Sequence, residues 1–406
     1  MNNGGPVEGK KRHLVLDALR GFALLGICLA NYPEFSLYSF LENQAKENLP
    51  TIEVDNVVQW FLYIFIDGKF YTIFSLLFGI GFSIIFENNR QRGANGITIF
   101  YRRMFFLFLI GFAHLIFIWS GDILMLYAIV GMTLPLFLKL KDKYLLIWAS
   151  GFLFLPVIID YVCQFTGVYL STKLVEWQWL LCERFGITQE NFAYWLRDAR
   201  NYHEMWQFLL MGAVERMQEF VDGNRYFKVL GLFLIGFWIG RNRYYAELEK
   251  YQSLFKKVCQ WGTGLGIPLS VIYAWSAMHS KPFGFGTHSF FYFISVYLTS
   301  FGYVSAFVLL YLNNQKSRLW TNLSYPGRMA LTNYIGQSAL GLLIFYGIGF
   351  GLGAETGLIF GELIAIAVFI LEITLSRGWL SVFRFGPLEW IWRCLTYLRR
   401  FPILKT

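Results

Sequence analysis

Charge is scarce in this chain. Only 15% of its 406 residues are Asp, Glu, Lys or Arg, against roughly 25% in soluble domains, so most of its surface must meet lipid and not water. The five cysteines, Cys28, Cys163, Cys182, Cys259 and Cys394, are scattered without CxxC or Cys/His spacing, which indicates neither a disulfide framework nor a metal site. GxSxG, Walker and metal-ligand patterns are missing, so nothing points to hydrolysis, ATP use or a metal centre. A cleavage site is lacking as well. The basic run Lys10-Lys11-Arg12 leads into an apolar stretch, but Asp17 and Arg20 interrupt it and no small-x-small site follows, so the first segment is expected to stay in the mature chain.

Hydrophobicity is what the chain has in abundance. Hydrophobic residues make up 56%, with 42 Phe, 24 Tyr and 14 Trp suited to lipid contact and interfacial belts. Ten stretches are long and apolar enough to cross a bilayer: 14–32, 70–86, 103–119, 123–140, 144–164, 226–240, 254–277, 289–312, 328–350 and 356–376. The expected fold is therefore an all-α polytopic integral membrane protein of about ten transmembrane helices. Residues 1–376 form the bundle and residues 377–406 a cytoplasmic interfacial tail.

The net charge of +9 comes from Lys and Arg clustered in short loops, a pattern that sets orientation and not nucleic-acid binding. Clusters precede the first span, fall at 90–103, 139–143, 241–257 and 316–328, and follow residue 377. These are alternate loops, so the positive-inside rule places both termini in the cytoplasm. The extracytoplasmic loops are then 33–56, the turn Ser120-Gly121-Asp122, the long segment 165–225, and 278–288. In the long segment Trp177, Trp179, Trp195 and Trp206 recur among charged residues, as in amphipathic helices lying on a membrane surface. Its apolar run at 208–214 is too short to span. Residues 56–86 are too long for one ordinary span and contain Asp67-Gly68-Lys69, so a break is expected there.

Ionisable groups inside a membrane are costly unless they line a pocket or find partners. Asp17 and Arg20, three apart on a helix, share a face, with Asn31 further along the same side. They form either a packing salt bridge or the edge of a cytoplasmic pocket. Arg102 and Arg103 open the third span as topology anchors or pocket cations. His114 lies 11 residues beyond Arg103, which at about 1.5 Å each is about 16 Å deep, past the middle of a core about 30 Å thick. Asp122 follows at the end of the same helix. A carboxylate bonded to one imidazole nitrogen fixes the tautomer and raises the basicity of the other, as a general base requires. Asn333 and Gln337, four apart, make a polar stripe on the ninth span, and Pro326-Gly327-Arg328 ahead of it offer backbone donors and a cation suited to phosphate. Glu389 and Arg393 in the tail are an i, i+4 pair. By depth, Arg20, Arg102, Arg103, Arg328 and Arg393 gather toward the cytoplasm, whereas Asn31, Asp67, Lys69, His114 and Asp122 lie in the outer half. Such a split suits a phosphate-rich donor that enters from inside and delivers a group outward.

Five motifs in order, Leu16-Asp17-Ala18-Leu19-Arg20-Gly21, Gly68-Lys69-Phe70 with Phe74-Ser75-Leu76-Leu77-Phe78-Gly79, Gly121-Asp122-Ile123-Leu124, Gly327-Arg328-Met329-Ala330-Leu331-Thr332-Asn333-Tyr334, and Gly386-Pro387-Leu388-Glu389-Trp390, resemble the YeiB-like DUF418 membrane proteins. The Asp-Ala-Leu-Arg-Gly opening is also similar to that of transmembrane acyltransferases. That resemblance implies transfer of an acyl group from cytoplasmic acyl-CoA to an acceptor on the other face, with a membrane histidine as base.

The expected function is thus a membrane O- or N-acyltransferase of the plasma membrane, bacterial inner-membrane type. His114 is the expected base and Asp122 its orienting carboxylate. Asp17, Arg20, Arg102, Arg103 and Arg328 are expected at the CoA end, and Asn31, Asp67, Lys69, Asn333 and Gln337 at the acceptor. The expected partners are membrane lipids and an envelope glycan or lipid acceptor. No metal and no nucleic acid is expected. A transporter or lipid-handling protein remains the alternative, with the same buried charges forming a path.

Overall fold

The computed structural model describes residues 13–405, so the basic run Lys10-Lys11-Arg12 lies outside the described residues. Among the described residues the chain is helical throughout and contains no strand. The helices are α1 (Leu14–Phe35), α2 (Asn43–Glu47), α3 (Ile52–Phe61), α4 (Lys69–Gln91), α5 (Gly96–Phe117) and α6 (Leu124–Gly131). They continue as α7 (Asp142–Thr166), α8 (Thr172–Phe185), α9 (Trp195–Asp198), α10 (Tyr202–Asp222), α11 (Arg225–Arg241) and α12 (Gln252–Met278). The last five are α13 (Phe285–Asn313), α14 (Arg318–Arg328), α15 (Ala330–Phe345), α16 (Leu358–Val382) and α17 (Pro387–Tyr397).

Six segments are long and apolar enough to cross a membrane among the described residues: Leu14–Phe35, Ile52–Gln91, Gly96–Phe117, Asp142–Thr166, Phe285–Asn313 and Leu358–Val382. They match six of the ten expected spans. The other four fall on helices that are shorter or less apolar. Residues 123–140 hold the short apolar piece Leu124–Phe137, and 328–350 hold Ala330–Phe345. Residues 226–240 lie in the 17-residue α11, and 254–277 in the 27-residue α12. The expected break at Asp67 is present: a π-type turn, Leu62–Ile66, ends at Asp67, and Gly68 turns the chain with φ of +73° before α4 starts. Positive φ suits glycine because it has no Cβ.

Several helix starts in this bundle are finished by side chains, because the first N–H groups of a helix have no partner within it. Asn95 does this for α5, accepting from Ile97 and Thr98 N–H at 3.1 and 3.2 Å. Three carboxylates do it elsewhere. Asp55 of α3, fixed by Thr51 at 2.7 Å, accepts from Ile359 N–H of α16 at 2.9 Å. Asp122 accepts from Met125 N–H of α6 at 2.8 Å. Glu389 of α17 accepts from Leu331 and Thr332 N–H of α15 at 2.7 and 3.0 Å. A negative charge there also matches the positive end of the helix dipole.

α1 runs through the interior and packs on α4, α14, α15 and α16. It crosses α14 at glycines: a Cβ built on Gly21 would lie 1.9 Å from the Leu323 carbonyl oxygen, and one on Gly327 1.9 Å from that of Asp17. α12 and α13 form a hairpin, while α11 packs on α4 and α7. Outward faces are apolar. On α16, Leu363, Ile366, Ile370 and Leu375 are exposed while Ala365, Val368 and Phe369 are buried, the pattern of a helix with one face to lipid. Within residues 165–225, Trp177 and Trp179 of α8 are exposed as an interfacial helix requires. Trp195 instead donates to the Glu204 carbonyl at 2.9 Å. The apolar run 208–214 sits in the middle of α10, turned into the protein. The boundary placed at residue 376 falls inside α16, and α17 packs on α5 and α15.

The glycine crossing makes a prediction. Gly327→Val has to push two backbones apart, and overpacking of this kind costs typically about 1–3 kcal/mol. Its melting temperature in detergent should fall clearly below wild type; an unchanged value would contradict the crossing.

Candidate functional site

A cavity of about 670 Å³ opens between α1, α4, α5, α12, α13 and α17, within the size range of small-molecule sites. Its two ends differ in chemistry. At one end stand Arg20, Arg103, Arg328 and Arg393, with Trp392 and Glu389. At the other stand Asn31, Asp67, Lys228, Tyr273, His288 and Tyr292. Arg20 and Asn31 are eleven residues apart on α1, which separates the two ends by about 16 Å. Phe74, Phe78, Met104, Leu107 and Tyr127 line the stretch between them.

The arginine end is built by α1, α5, α14 and α17. Arg20 bonds Asp17 at 2.8 Å. The Arg103 guanidinium lies 3.5 Å from the centre of the Trp392 ring, and Arg393 lies 4.0 Å from that of Phe385. Stacking on a ring face holds a cation without spending its hydrogen-bond donors. Glu389 serves α15 through Leu331, Thr332 and the Thr332 hydroxyl, the last at 2.6 Å. Burial pushes its carboxyl up, and those hydrogen bonds pull it part of the way back. The α15 donors expected for phosphate are therefore already taken, and Pro326-Gly327 belong to the end of α14. What this end presents to an anion is its arginines.

At the far end Asp67 accepts a hydrogen bond from the Tyr273 hydroxyl. The Tyr273 ring packs 5.0 Å from His288 and 5.4 Å from Tyr292. His288 is tethered through Nδ1 to the Ser276 hydroxyl at 3.0 Å. Asp160 takes hydrogen bonds from Asn224 at 3.0 Å and from Ser289, and Lys228 stands 5.0 Å over the Tyr292 ring.

Of the residues singled out from sequence, Arg20, Arg103, Arg328, Glu389, Arg393, Asn31 and Asp67 line this cavity. The others do not. Asp17 stands behind Arg20, and Arg102 donates to the Thr396 carbonyl at 3.2 Å. Lys69 is fully buried and donates to the Tyr63 carbonyl at 2.7 Å. Asn333 and Gln337 turn to α16, bonding Ser376 at 2.9 Å and Glu372 at 2.8 Å.

His114 and Asp122 pair as expected, Nδ1 to Oδ2 at 2.9 Å, but both side chains are wholly enclosed. A carboxylate only accepts, so Nδ1 carries the proton shared with Asp122, and Nε2 lies 3.0 Å from the Ser338 hydroxyl, which itself donates to the Tyr334 carbonyl at 3.3 Å. Both ring nitrogens are engaged. The Tyr334 ring, 5.4 Å from His114, stands between the pair and the cavity. The imidazole that lines the cavity is His288, which sequence reading left in a loop.

This arrangement predicts a stability effect. His114→Ala leaves Asp122 buried beside a vacated partner, and breaking such a pair costs about 3–5 kcal/mol. Ser338→Ala removes one neutral hydrogen bond, typically about 1 kcal/mol. Thermal melts in detergent should rank His114→Ala far below Ser338→Ala; the reverse order would contradict the geometry.

Comparison with known proteins fits this architecture. A family model described as "Protein of unknown function (DUF418)" matches residues 239–399. The chain is 32% identical over 422 residues to "Uncharacterized protein YxaH" of Bacillus subtilis (strain 168), covering 100% of this chain and 99% of that protein. It is 30% identical to "Uncharacterized 39.9 kDa protein in amylase 3'region" of Bacillus acidopullulyticus, covering 98% of each. With "Uncharacterized protein YeiB" of Escherichia coli (strain K12) it shares 27% identity over 97% of this chain and 99% of that one. The fold and site thus define a helical membrane protein built around an internal cavity. The chain belongs to the DUF418 family of YeiB-like membrane proteins.

Proposed function

We propose that this protein is a plasma-membrane acyltransferase that moves an acyl group from cytoplasmic acyl-CoA to a hydroxyl or amine of an extracytoplasmic acceptor, an envelope glycan or lipid. The observation that carries this reading is the two-ended cavity, with arginines at one end and a tyrosine, carboxylate and imidazole cluster at the other. Arg20, Arg103, Arg328 and Arg393 supply cations for the CoA phosphates through charge-assisted hydrogen bonds. The apolar stretch between the ends takes the thin pantetheine arm and the acyl chain.

In this reading His288 is the base. Its Nδ1 is held by Ser276, which orients Nε2 toward an acceptor bound against Asp67 and Tyr273. The acceptor O–H or N–H gives its proton to Nε2, the new C–O or C–N bond forms, the C–S bond breaks, and the CoA thiolate takes up a proton. His114 and Asp122, the pair expected to do this chemistry, are enclosed beside Tyr334, whose side chain lines the cavity. The arginine end faces the cytoplasm, as the basic loops near it require.

Transport through the same cavity is the competing reading, since charged groups mark both of its ends. Gradient-driven uptake into liposomes without consumption of acyl-CoA would favour it.

Release of CoA thiol from acetyl-CoA by the protein in native-lipid nanodiscs tests the assignment. General-base assistance contributes typically about 10²–10⁴-fold, so His288→Ala should lose turnover on that scale and keep its affinity for acetyl-CoA. Arg103→Ala should weaken acetyl-CoA binding roughly 10- to 100-fold, the effect of about 1.5–3 kcal/mol for a hydrogen bond to a charged group. Undiminished turnover in His288→Ala would remove the mechanism.

A further inference from the structure

α16 carries two carboxyl groups that the cavity does not use. Glu362 and Glu372 are 6% and 4% exposed and line no part of it. Neither oxygen of Glu362 has a hydrogen-bond partner. Glu372 receives one hydrogen bond, from Gln337 Nε2 to Oε2 at 2.8 Å, and its Oε1 has none. That free oxygen faces Gly336, where a built Cβ would come 3.8 Å from it, so the missing side chain leaves room in front of it.

The surroundings supply oxygens. Gln337 Oε1 and the Tyr32 hydroxyl are also buried without partners. Tyr32 is within electrostatic reach of both glutamates, as is Cys28 one turn earlier. The Cys28 thiol donates to the Ala365 carbonyl at 3.6 Å and so pins α1 to α16 between the two acids. Asp55 of α3 is committed to Thr51 and the start of α16. From α15 come the neutral Asn333 and Gln337. The seam is thus rich in acceptors and short of donors. Unmatched ionised carboxylates among apolar helices carry a prohibitive desolvation cost, and such groups neutralise by holding a proton. A proton on Glu372 belongs on Oε1, because Oε2 is the oxygen that accepts from Gln337.

We propose that the seam between α1, α15 and α16 is a proton-binding relay, with Glu362 and Glu372 as its exchangeable carboxylic acids and the Tyr32 hydroxyl between them. The two acids are ten residues apart on one helix, about 15 Å along its axis, so protons pass between them only through a group in between, the part proposed for the Tyr32 hydroxyl. One proton leaves the seam for each that enters, and no other reactant is consumed. The relay does not depend on the acyl-transfer reading.

The test uses full-length protein in liposomes loaded with a pH-sensitive dye, with a potassium diffusion potential set by valinomycin to drive protons. Wild type should acidify the lumen, and dicyclohexylcarbodiimide, which attacks protonated carboxyls in membranes, should block this while leaving an adduct on the α16 peptide. Glu372→Gln, Glu362→Gln and Tyr32→Phe keep the shape of the side chain and should reduce the flux to that of protein-free vesicles. Each Gln variant should also lose the adduct at its own position. Absence of an adduct, or flux unchanged in the Gln variants, overturns the proposal; an adduct without proton flux overturns the relay.

Discussion

A hydrogen-bonding atom buried among apolar helices has no water to turn to, and every polar side chain in this bundle answers to that constraint. Asp55, Asp122 and Glu389 each spend oxygens on the first N–H groups of another helix, which would otherwise be orphaned. Asp55 and Glu389 thereby tie together elements distant in sequence, α3 to α16 and α17 to α15, while Asp122 finishes the start of the helix that follows its own turn. These carboxylates do for the interior what water does at the ends of soluble helices. Their placement decides which charged groups remain available to a ligand.

What remains available is sorted by end. Arg103 stacks on Trp392 and Arg20 pairs with Asp17 at one end, while the far end offers tyrosines, Asp67 and an imidazole with one nitrogen tethered. The two sets share one cavity because α1 and α4 both run its length, with glycines letting α14 sit against α1. A donor that is anionic at one end and reactive at the other matches such a space better than a compact solute does. The α16 seam is a separate system, chemically poor in donors where the cavity is rich in them.

Much of this was legible from residues, for reasons that are local. Six of the expected spans follow from length and apolarity alone, and the break at Asp67-Gly68 from the cost of a charge inside an apolar run. The His114 and Asp122 pair was legible too, because three residues of turn bring the carboxylate back over its own helix. Depth, however, says nothing of direction. His114 and Lys69 point into packed neighbours, and Asn333 and Gln337 face α16. A stripe on a helix names a face without naming what covers it. His288 was missed because α13 begins at Phe285, which carries a supposed loop residue into the cavity wall. The i, i+4 spacing of His288 and Tyr292, both in the cavity wall, was the available signal. Glu389 was read with Arg393 as a local pair, whereas its partners lie 57 and 58 residues away on α15; no spacing rule reaches that far.

The central claim is that one passage joins the arginine end to the His288 end. A cryo-electron microscopy structure with a non-hydrolysable acyl-CoA analogue tests it most directly. Nucleotide and phosphate density should lie against Arg103 and Arg393, with the acyl group toward Tyr273 and His288. An analogue seated elsewhere, or packed side chains closing the passage between the two ends, would contradict it.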